Sequence, residues 1–106
     1  MECKVVFRDE KLKSSFEELK DLDERLYKEI EKALRDICNN AFCGRNVKKE
    51  LIPKEFIQKY ELDNLWIYNL RKDWRLLYTI TGDGIGVLSI VLDWMNHKEY
   101  ERLFGF

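Results

Sequence analysis

The chain has 106 residues, 45% of them hydrophobic and 37% charged, which is enough for one domain whose core needs no disulfide or metal. No apolar run approaches the roughly 20 residues that cross a bilayer, and the N-terminus has no signal-peptide core, so we expect a single cytoplasmic domain over residues 1–106 without membrane contact. The net charge of −1 excludes nucleic-acid binding by the surface as a whole, because such domains are usually basic, and any such site must be local.

The residues that usually hold metals or cofactors are sparse. The chain has one histidine and three cysteines, Cys3, Cys38 and Cys43, and the spacing of the last two lacks the paired pattern of a zinc site. There is no glycine-rich phosphate loop. We therefore expect no metal, nucleotide or flavin, and we expect three reduced, mostly buried thiols.

The N-terminal part of the chain predicts one strand followed by an amphipathic helix. Residues 4–7 form a short apolar run with β-branched residues, which is typical of a strand. The apolar residues then recur at helical spacing, at Leu12, Phe16 and Leu19. Asp9 is the expected N-cap of this helix.

A second, longer helix follows. Asp23 can cap it, Gly44 is a suitable C-terminal stop, and its apolar face comprises Leu26, Ile30, Ala33, Leu34, Ile37, Cys38 and Ala41. Two consecutive helices of this kind form a helical hairpin whose apolar faces must be covered. Pro53 could begin a further short helix over residues 54–60.

The C-terminal part predicts three strands. Residues 64–70, 74–81 and 85–92 are rich in aromatic and β-branched residues, and short connections at 71–73 and at the Asp-Gly pair 83–84 join them. These runs predict an antiparallel three-stranded meander. The full order indicates an α+β fold: one N-terminal strand, a helical hairpin, the meander and a short C-terminal helical turn.

Alternation along the middle strand separates its two faces. The face that we expect to pack against the helices carries Trp74, Leu76, Tyr78 and Ile80. Arg75 is then the one charge in the centre of the opposite face. An arginine in that position is either a salt-bridged surface group or a placed anion binder.

The tail carries the only histidine. Asn96 and Glu99 have the spacing of a capping box, which predicts a short helix that begins at His97. Tyr100 follows about one turn later on nearly the same side of that helix. A histidine in this position can act as a general base or a general acid, depending on its protonation state.

The element order and two short motifs resemble the RelE/ParE superfamily of toxin–antitoxin modules. Residues 64–78, NLWIYNLRKDWRLLY, are similar to the hairpin motif of that superfamily, and residues 97–100, HKEY, are similar to the ending of its HigB-like members. The chain departs from the hairpin motif at Ile67 and Asn69, where many relatives have arginine, and at Lys72, where they have glycine.

The resemblance implies a RelE-like fold and, for that branch, a ribosome-dependent, metal-free endoribonuclease that acts on mRNA. The 2′-OH of the RNA attacks the adjacent phosphorus and leaves a 2′,3′-cyclic phosphate, a step that needs a base, a cation and an acid. By position, Arg75 matches the strand arginine at the scissile phosphate. His97 matches the acid or base, and Tyr100 matches a tyrosine of substrate stacking or proton transfer. The candidate substrate-binding residues are Lys98, Lys72 and Arg71.

The same resemblance implies two other functions and a partner. A ParE-like inhibitor of DNA gyrase would bind its target without cleaving anything, and His97 would then be dispensable. A catalytically inactive module of the same fold would only bind an antitoxin. For every branch the implied partner is a small, neighbour-encoded antitoxin with a disordered amphipathic segment, and the ribonuclease would also bind ribosome-bound mRNA.

Overall fold

A computed structural model describes residues 4–82 and 87–105. In chain order these ranges contain β1 (Val5–Phe7), α1 (Glu10–Leu22), α2 (Glu24–Asn39), β2 (Arg45–Asn46), α3 (Lys54–Tyr60), β3 (Trp66–Asn69), β4 (Arg75–Gly82), β5 (Val87–Met95) and α4 (His97–Phe104). Two short 3-10 turns lie at Ala41–Cys43 and Lys49–Leu51. None of the described helices is long and apolar enough to cross a membrane.

Two aspartates define the helical hairpin, as the sequence predicts. The carboxylate of Asp9 accepts a hydrogen bond from the Leu12 N–H at 2.8 Å, and that of Asp23 accepts one from the Leu26 N–H at 3.2 Å. Side-chain caps of this kind contribute about 1 kcal/mol each. Asp23 also donates its own N–H to the Leu19 carbonyl, so it ends α1 and begins α2.

The end of α2 differs from the prediction. The helix stops at Asn39, because Asn40 is extended and its side chain accepts a hydrogen bond from the Phe42 N–H at 3.1 Å, which starts the first 3-10 turn. Asparagine offers the backbone this local alternative to continuing a helix. Gly44 therefore does not stop α2. It is needed for close approach, since a Cβ there would lie 2.6 Å from the Tyr78 Oη and 2.9 Å from the Ile67 carbonyl oxygen.

The strands form one five-stranded sheet in the order β1-β5-β4-β3-β2. The predicted meander β3–β4–β5 is confirmed as antiparallel, and β1 adds to it in parallel beside β5. The sequence pattern did not predict β2, which pairs with β3 through only two residues. The predicted 83–84 turn and the first two residues of the predicted third strand lie outside the described residues. At its other end β5 extends past the predicted limit of residue 92, because Asp93, Trp94 and Met95 all pair with β4.

The connection between β3 and β4 is the predicted tight turn. Lys72 and Asp73 both have positive φ, 54° and 65°, and the Trp74 N–H donates to the Arg71 carbonyl at 3.3 Å. Two left-handed residues give a hairpin turn whose twist matches the twist of the flanking strands. Neither residue is glycine, so the turn stores some backbone strain.

Each face of the sheet has its own hydrophobic core. The first face packs against α1 and α2, as predicted, and its buried cluster comprises Leu12, Phe16, Leu26, Ile30, Ala33, Ile37, Leu70, Leu76, Tyr78 and Val91. The sequence did not predict the second cluster, which comprises Val47, Ile52, Phe56, Leu65, Ile67, Leu77, Leu92, Met95 and Tyr100. The face that carries Arg75 is therefore covered in large part by α3, α4 and the segment between β2 and α3.

The cysteines do not follow the prediction of reduced, mostly buried thiols. Cys38 is disulfide-bonded and half-buried in the last turn of α2. Cys43 is a free thiol, and it is exposed. The odd count and the spacing, on which the prediction rested, do not tell which cysteines meet in space.

Candidate active site

Arg75 occupies the first position of β4, between Asn69 of β3 and Met95 of β5. Alternation along β4 places it on the same face as Leu77, which belongs to the second core. Its guanidinium is half-buried and donates one hydrogen bond to the Trp74 carbonyl at 3.2 Å. The sheet thus points a permanent positive charge towards the helix that covers this face.

Tyr100 is the residue of that helix that meets Arg75. The Tyr100 ring is only 6% exposed and packs against Phe104, with 4.7 Å between ring centroids. The guanidinium carbon of Arg75 lies 5.5 Å from the centroid of the Tyr100 ring, within the range of a cation–π interaction. The predicted proximity of a strand arginine and a tail tyrosine is present in the structure.

His97 is the first residue of α4, and the predicted capping box precedes it. The Asn96 side chain accepts from the Glu99 N–H at 2.9 Å, and the Glu99 carboxylate accepts from the Asn96 N–H at 3.2 Å. The imidazole is 49% exposed, and its Nε2 pairs with the carboxylate of Glu101. His97 and Tyr100 are three residues apart, so they are neighbours on the helix surface. The Glu101 carboxylate at one ring nitrogen restrains the orientation of the imidazole.

The three predicted substrate-binding residues lie in two different places. Lys98 is exposed on α4, next to His97 in the chain. Arg71 is held on the other side of the sheet, because its Nε lies 3.3 Å from a carboxylate oxygen of Glu29 on α2. Lys72 lines the same shallow cleft as Arg71, at the N-terminal end of α2. The structure therefore does not bring Arg71 and Lys72 to Arg75 and Tyr100, and their role in substrate binding stays a prediction.

Arg45 belongs to this site, and the sequence reasoning missed it. Its Nη2 donates to the Tyr100 Oη at 2.8 Å, across 55 positions in the chain. Tyr100 thus has one guanidinium at its hydroxyl and another, that of Arg75, at its ring. A strand of two residues is too short to show the alternation that predicts a strand. The only sequence feature that marks Arg45 is its position directly after Gly44.

A buried tyrosine holds the backbone that carries Arg45. The Tyr78 hydroxyl donates to the Ala41 carbonyl at 2.8 Å and accepts from the Gly44 N–H at 3.0 Å. Burial raises the pKa of Tyr78 to about 12, so this hydroxyl keeps its proton throughout the physiological range. The hydrogen bonds fasten the segment between α2 and β2 to the middle strand of the sheet.

A second group of charges lies where β5 approaches α4. Burial raises the pKa of the Asp93 carboxyl, and the nearby Glu99 adds to this rise. The hydrogen bond from the Trp94 N–H and the nearby cations Arg8 and Lys59 lower the pKa and partly offset the rise. Asp93 pairs with Leu77 across the sheet and so lies on the second face. Within the described ranges, no three His, Cys, Asp or Glu side chains are grouped so as to hold a metal ion.

Comparison with known proteins shows a fold likeness without a clear sequence relative. No family model and no curated protein matches this sequence. Among solved structures, the chain is similar to a YoeB/ParE toxin from Agrobacterium tumefaciens, with a TM-score of 0.61 and 17% sequence identity. The match covers 89% of this chain and 98% of that chain. The predicted RelE/ParE-like α+β fold is therefore confirmed.

Proposed function

We propose that this chain is the toxin of a type II toxin–antitoxin module and that it cleaves mRNA on the ribosome without a metal ion. The contact between Arg75 and Tyr100, 5.5 Å from guanidinium carbon to ring centroid, carries the proposal. It joins a permanent cation to a phenol on the helix that also presents His97. The likeness to a structure described as a YoeB/ParE toxin supports the same reading.

The chemistry assigned to the site is attack of the RNA 2′-OH on the adjacent phosphorus, which releases a 5′-OH and leaves a 2′,3′-cyclic phosphate. Arg75 faces the non-bridging oxygens, where negative charge grows in the transition state. An arginine suits this role because it stays protonated and offers paired N–H donors. His97, oriented by Glu101, exchanges a proton with the attacking or the leaving oxygen.

The burial of Tyr100 supports one of the two roles that the resemblance implied for it. A ring that is 6% exposed and packed on Phe104 has no open face on which an RNA base could stack. Tyr100 therefore acts through its hydroxyl, in proton transfer, and through its ring, which orients Arg75. Base stacking would require α4 to move away from the second core.

Dependence on the ribosome is consistent with the charge of the chain. Binding of RNA through its phosphates grows with the number of cations that meet them, and the net charge of −1 supplies no general attraction. At two positions where many relatives have arginine, this chain has a 1%-exposed Ile67 in the second core and the uncharged Asn69. A ribosome that holds the mRNA in place would replace the missing affinity.

The test is cleavage of a defined mRNA on programmed ribosomes, with product ends mapped for a 5′-OH and a cyclic phosphate. Arg75→Ala should slow cleavage about 10²–10³-fold, the usual effect of losing one charge-stabilising donor, and His97→Ala should also slow it. Arg35→Ala is the matched control, because Arg35 is exposed on α2 and pairs with Glu31. Cleavage should persist in EDTA. Intact mRNA with the wild-type protein would contradict the proposal.

A ParE-like action on DNA gyrase is the second candidate, since the solved relative is described by both names. In that case the exposed His97 takes no part, and His97→Ala should inhibit supercoiling as well as the wild type does. Either function requires an antitoxin as partner. A short open reading frame beside the gene, whose product binds this chain and restores growth, would support both candidates equally.

A further inference from the structure

Two guanidinium groups contact one tyrosine, and neither has an acidic partner among residues 4–82 and 87–105. Arg45 and Arg75 both contact Tyr100, one at its hydroxyl and one at its ring. Neither arginine lies within 4.0 Å of a carboxylate in the described part of the chain, whereas Arg8 and Arg35 do, at 3.0 and 3.7 Å. The positive charge around Tyr100 is thus not neutralised by a carboxylate, and a bound anion would be attracted to it.

The donors of Arg45 are not exhausted by its hydrogen bond to Tyr100. A guanidinium has five N–H groups in a fixed fork, and that bond uses one N–H of Nη2. The fork matches two oxygens of a phosphate group, which is why arginine is favoured where such groups are bound. Arg75 likewise uses one N–H, to the Trp74 carbonyl.

The two arginines reach this place from different parts of the sheet. Arg75 comes from the central strand β4 and Arg45 from the edge strand β2. They meet at Tyr100, where the Arg45 guanidinium contacts the hydroxyl at 2.8 Å and the Arg75 guanidinium carbon lies 5.5 Å from the ring centroid. The edge position leaves Arg45 exposed, so an extended chain could approach it from solvent.

We infer that Arg45 is a phosphate-binding residue and that, with Arg75, it forms a two-arginine cradle for a phosphodiester group of a single-stranded RNA. This inference rests on the proposed function and adds to it a residue from outside the hairpin and the tail. Arg45 also fixes the Tyr100 hydroxyl, so it positions that group while it binds the substrate backbone. No covalent step is assigned to it.

The test uses a probe that cannot be cleaved, an RNA trinucleotide with 2′-O-methyl sugars. Its titration into the intact protein is followed by NMR, through the Nε–H signals of the arginines. The Arg45 and Arg75 signals should shift together along one binding curve. Arg45→Ala should weaken binding about tenfold and lower the salt slope by about one phosphate contact. Arg45→Lys, which keeps the charge and loses the fork, should recover part of the affinity.

Arg35→Ala serves again as the control and should bind like the wild type. A thermal unfolding curve of Arg45→Ala shows whether the variant is folded at the temperature of the titration. If folded Arg45→Ala binds within twofold of the wild type, or keeps the full salt slope, Arg45 only docks α4 and the inference fails while the ribonuclease proposal stands. If mRNA is not cleaved but inorganic phosphate still shifts both arginine signals together, the function fails and the cradle stands. If neither the trinucleotide nor phosphate shifts Arg45, the cradle is wrong.

Discussion

Tyr78→Phe removes a single oxygen that ties the site to the sheet. The Tyr78 side chain is 0% exposed, and its hydroxyl bridges the Ala41 carbonyl and the Gly44 N–H at 2.8 and 3.0 Å. Phenylalanine keeps the packing of the ring in the first core. It leaves the two backbone groups without this partner, in the segment that leads directly to Arg45.

The magnitude follows from the two hydrogen bonds. Each contributes about 0.5–1.5 kcal/mol net, so the substitution should lower the free energy of unfolding by about 2 kcal/mol. For a domain of this size one kcal/mol shifts the Tm by about 4–8 °C, and the expected loss is about 10 °C. Because the same segment positions Arg45, the variant should also weaken RNA binding at temperatures where it is fully folded.

Equilibrium unfolding in urea, with calorimetry for the Tm, measures the effect. The matched control is Tyr27→Phe, which makes the same chemical change. The Tyr27 ring stacks on Phe16 at 4.7 Å between centroids, and its hydroxyl makes no hydrogen bond within residues 4–82 and 87–105. We expect the control to change stability by less than about 0.5 kcal/mol.

Measuring the free energy of unfolding over a range of pH distinguishes the loss of the Tyr78 hydroxyl from a general loosening of the core. The pKa of Tyr78 is raised to about 12 in the folded protein, against about 10 in an unfolded chain. The folded state therefore holds this proton more tightly, and the stabilisation is complete below pH 10 and is lost as the pH rises towards 12. The gap between wild type and Tyr78→Phe should narrow from pH 9 to pH 11. Equal stability at pH 9, or a gap independent of pH, would refute the reasoning.

Two further substitutions test other parts of the structure by the same unfolding measurement. Gly44→Ala should cost about 1–3 kcal/mol, because its Cβ would meet the Tyr78 Oη at 2.6 Å and a backbone oxygen at 2.9 Å. At Gly105 a Cβ meets no atom within 4 Å, so Gly105→Ala measures only the smaller cost of a positive φ. If both substitutions lower the free energy of unfolding equally, the steric argument is wrong. Asp93→Asn should stabilise the protein at pH 7 but not near pH 3. The raised pKa of Asp93 means that its charged form opposes folding as the pH rises, and a gain that does not vary with pH would show another cause.

Local signals predicted the parts of the fold that local interactions determine. The caps at Asp9 and Asp23 and the capping box at Asn96 and Glu99 are contacts within three residues, so the sequence spacing contains the whole interaction. Alternation along β4 likewise gave the correct face for Arg75. These features need no knowledge of the rest of the chain.

Long-range contacts explain what the sequence did not reveal. Strand β2 has two residues and exists because β3 is beside it, which no window of apolar periodicity detects. The second core gathers residues from six separate segments of the chain, including Val47, Phe56 and Leu77. A single bulge contributes to it, because the pairing shifts between Leu77 and Tyr78, which leaves Leu92 as an extra residue on β5. Neither the covered second face nor the burial of Tyr100 follows from composition or spacing.

Arg71 shows most clearly why nearness in sequence is a weak guide to a site. It stands four residues before Arg75, on the same hairpin, and the motif grouped the two. Between them lie two residues with positive φ, which reverse the chain within one turn. Arg71 therefore lies beside Glu29 of α2, on the face that packs against α1 and α2, whereas Arg75 faces α4. Arg45, 30 residues before Arg75, reaches the hydroxyl of the tyrosine that Arg75 contacts, because the order of strands in the sheet, not the order in the chain, decides which cations meet at Tyr100.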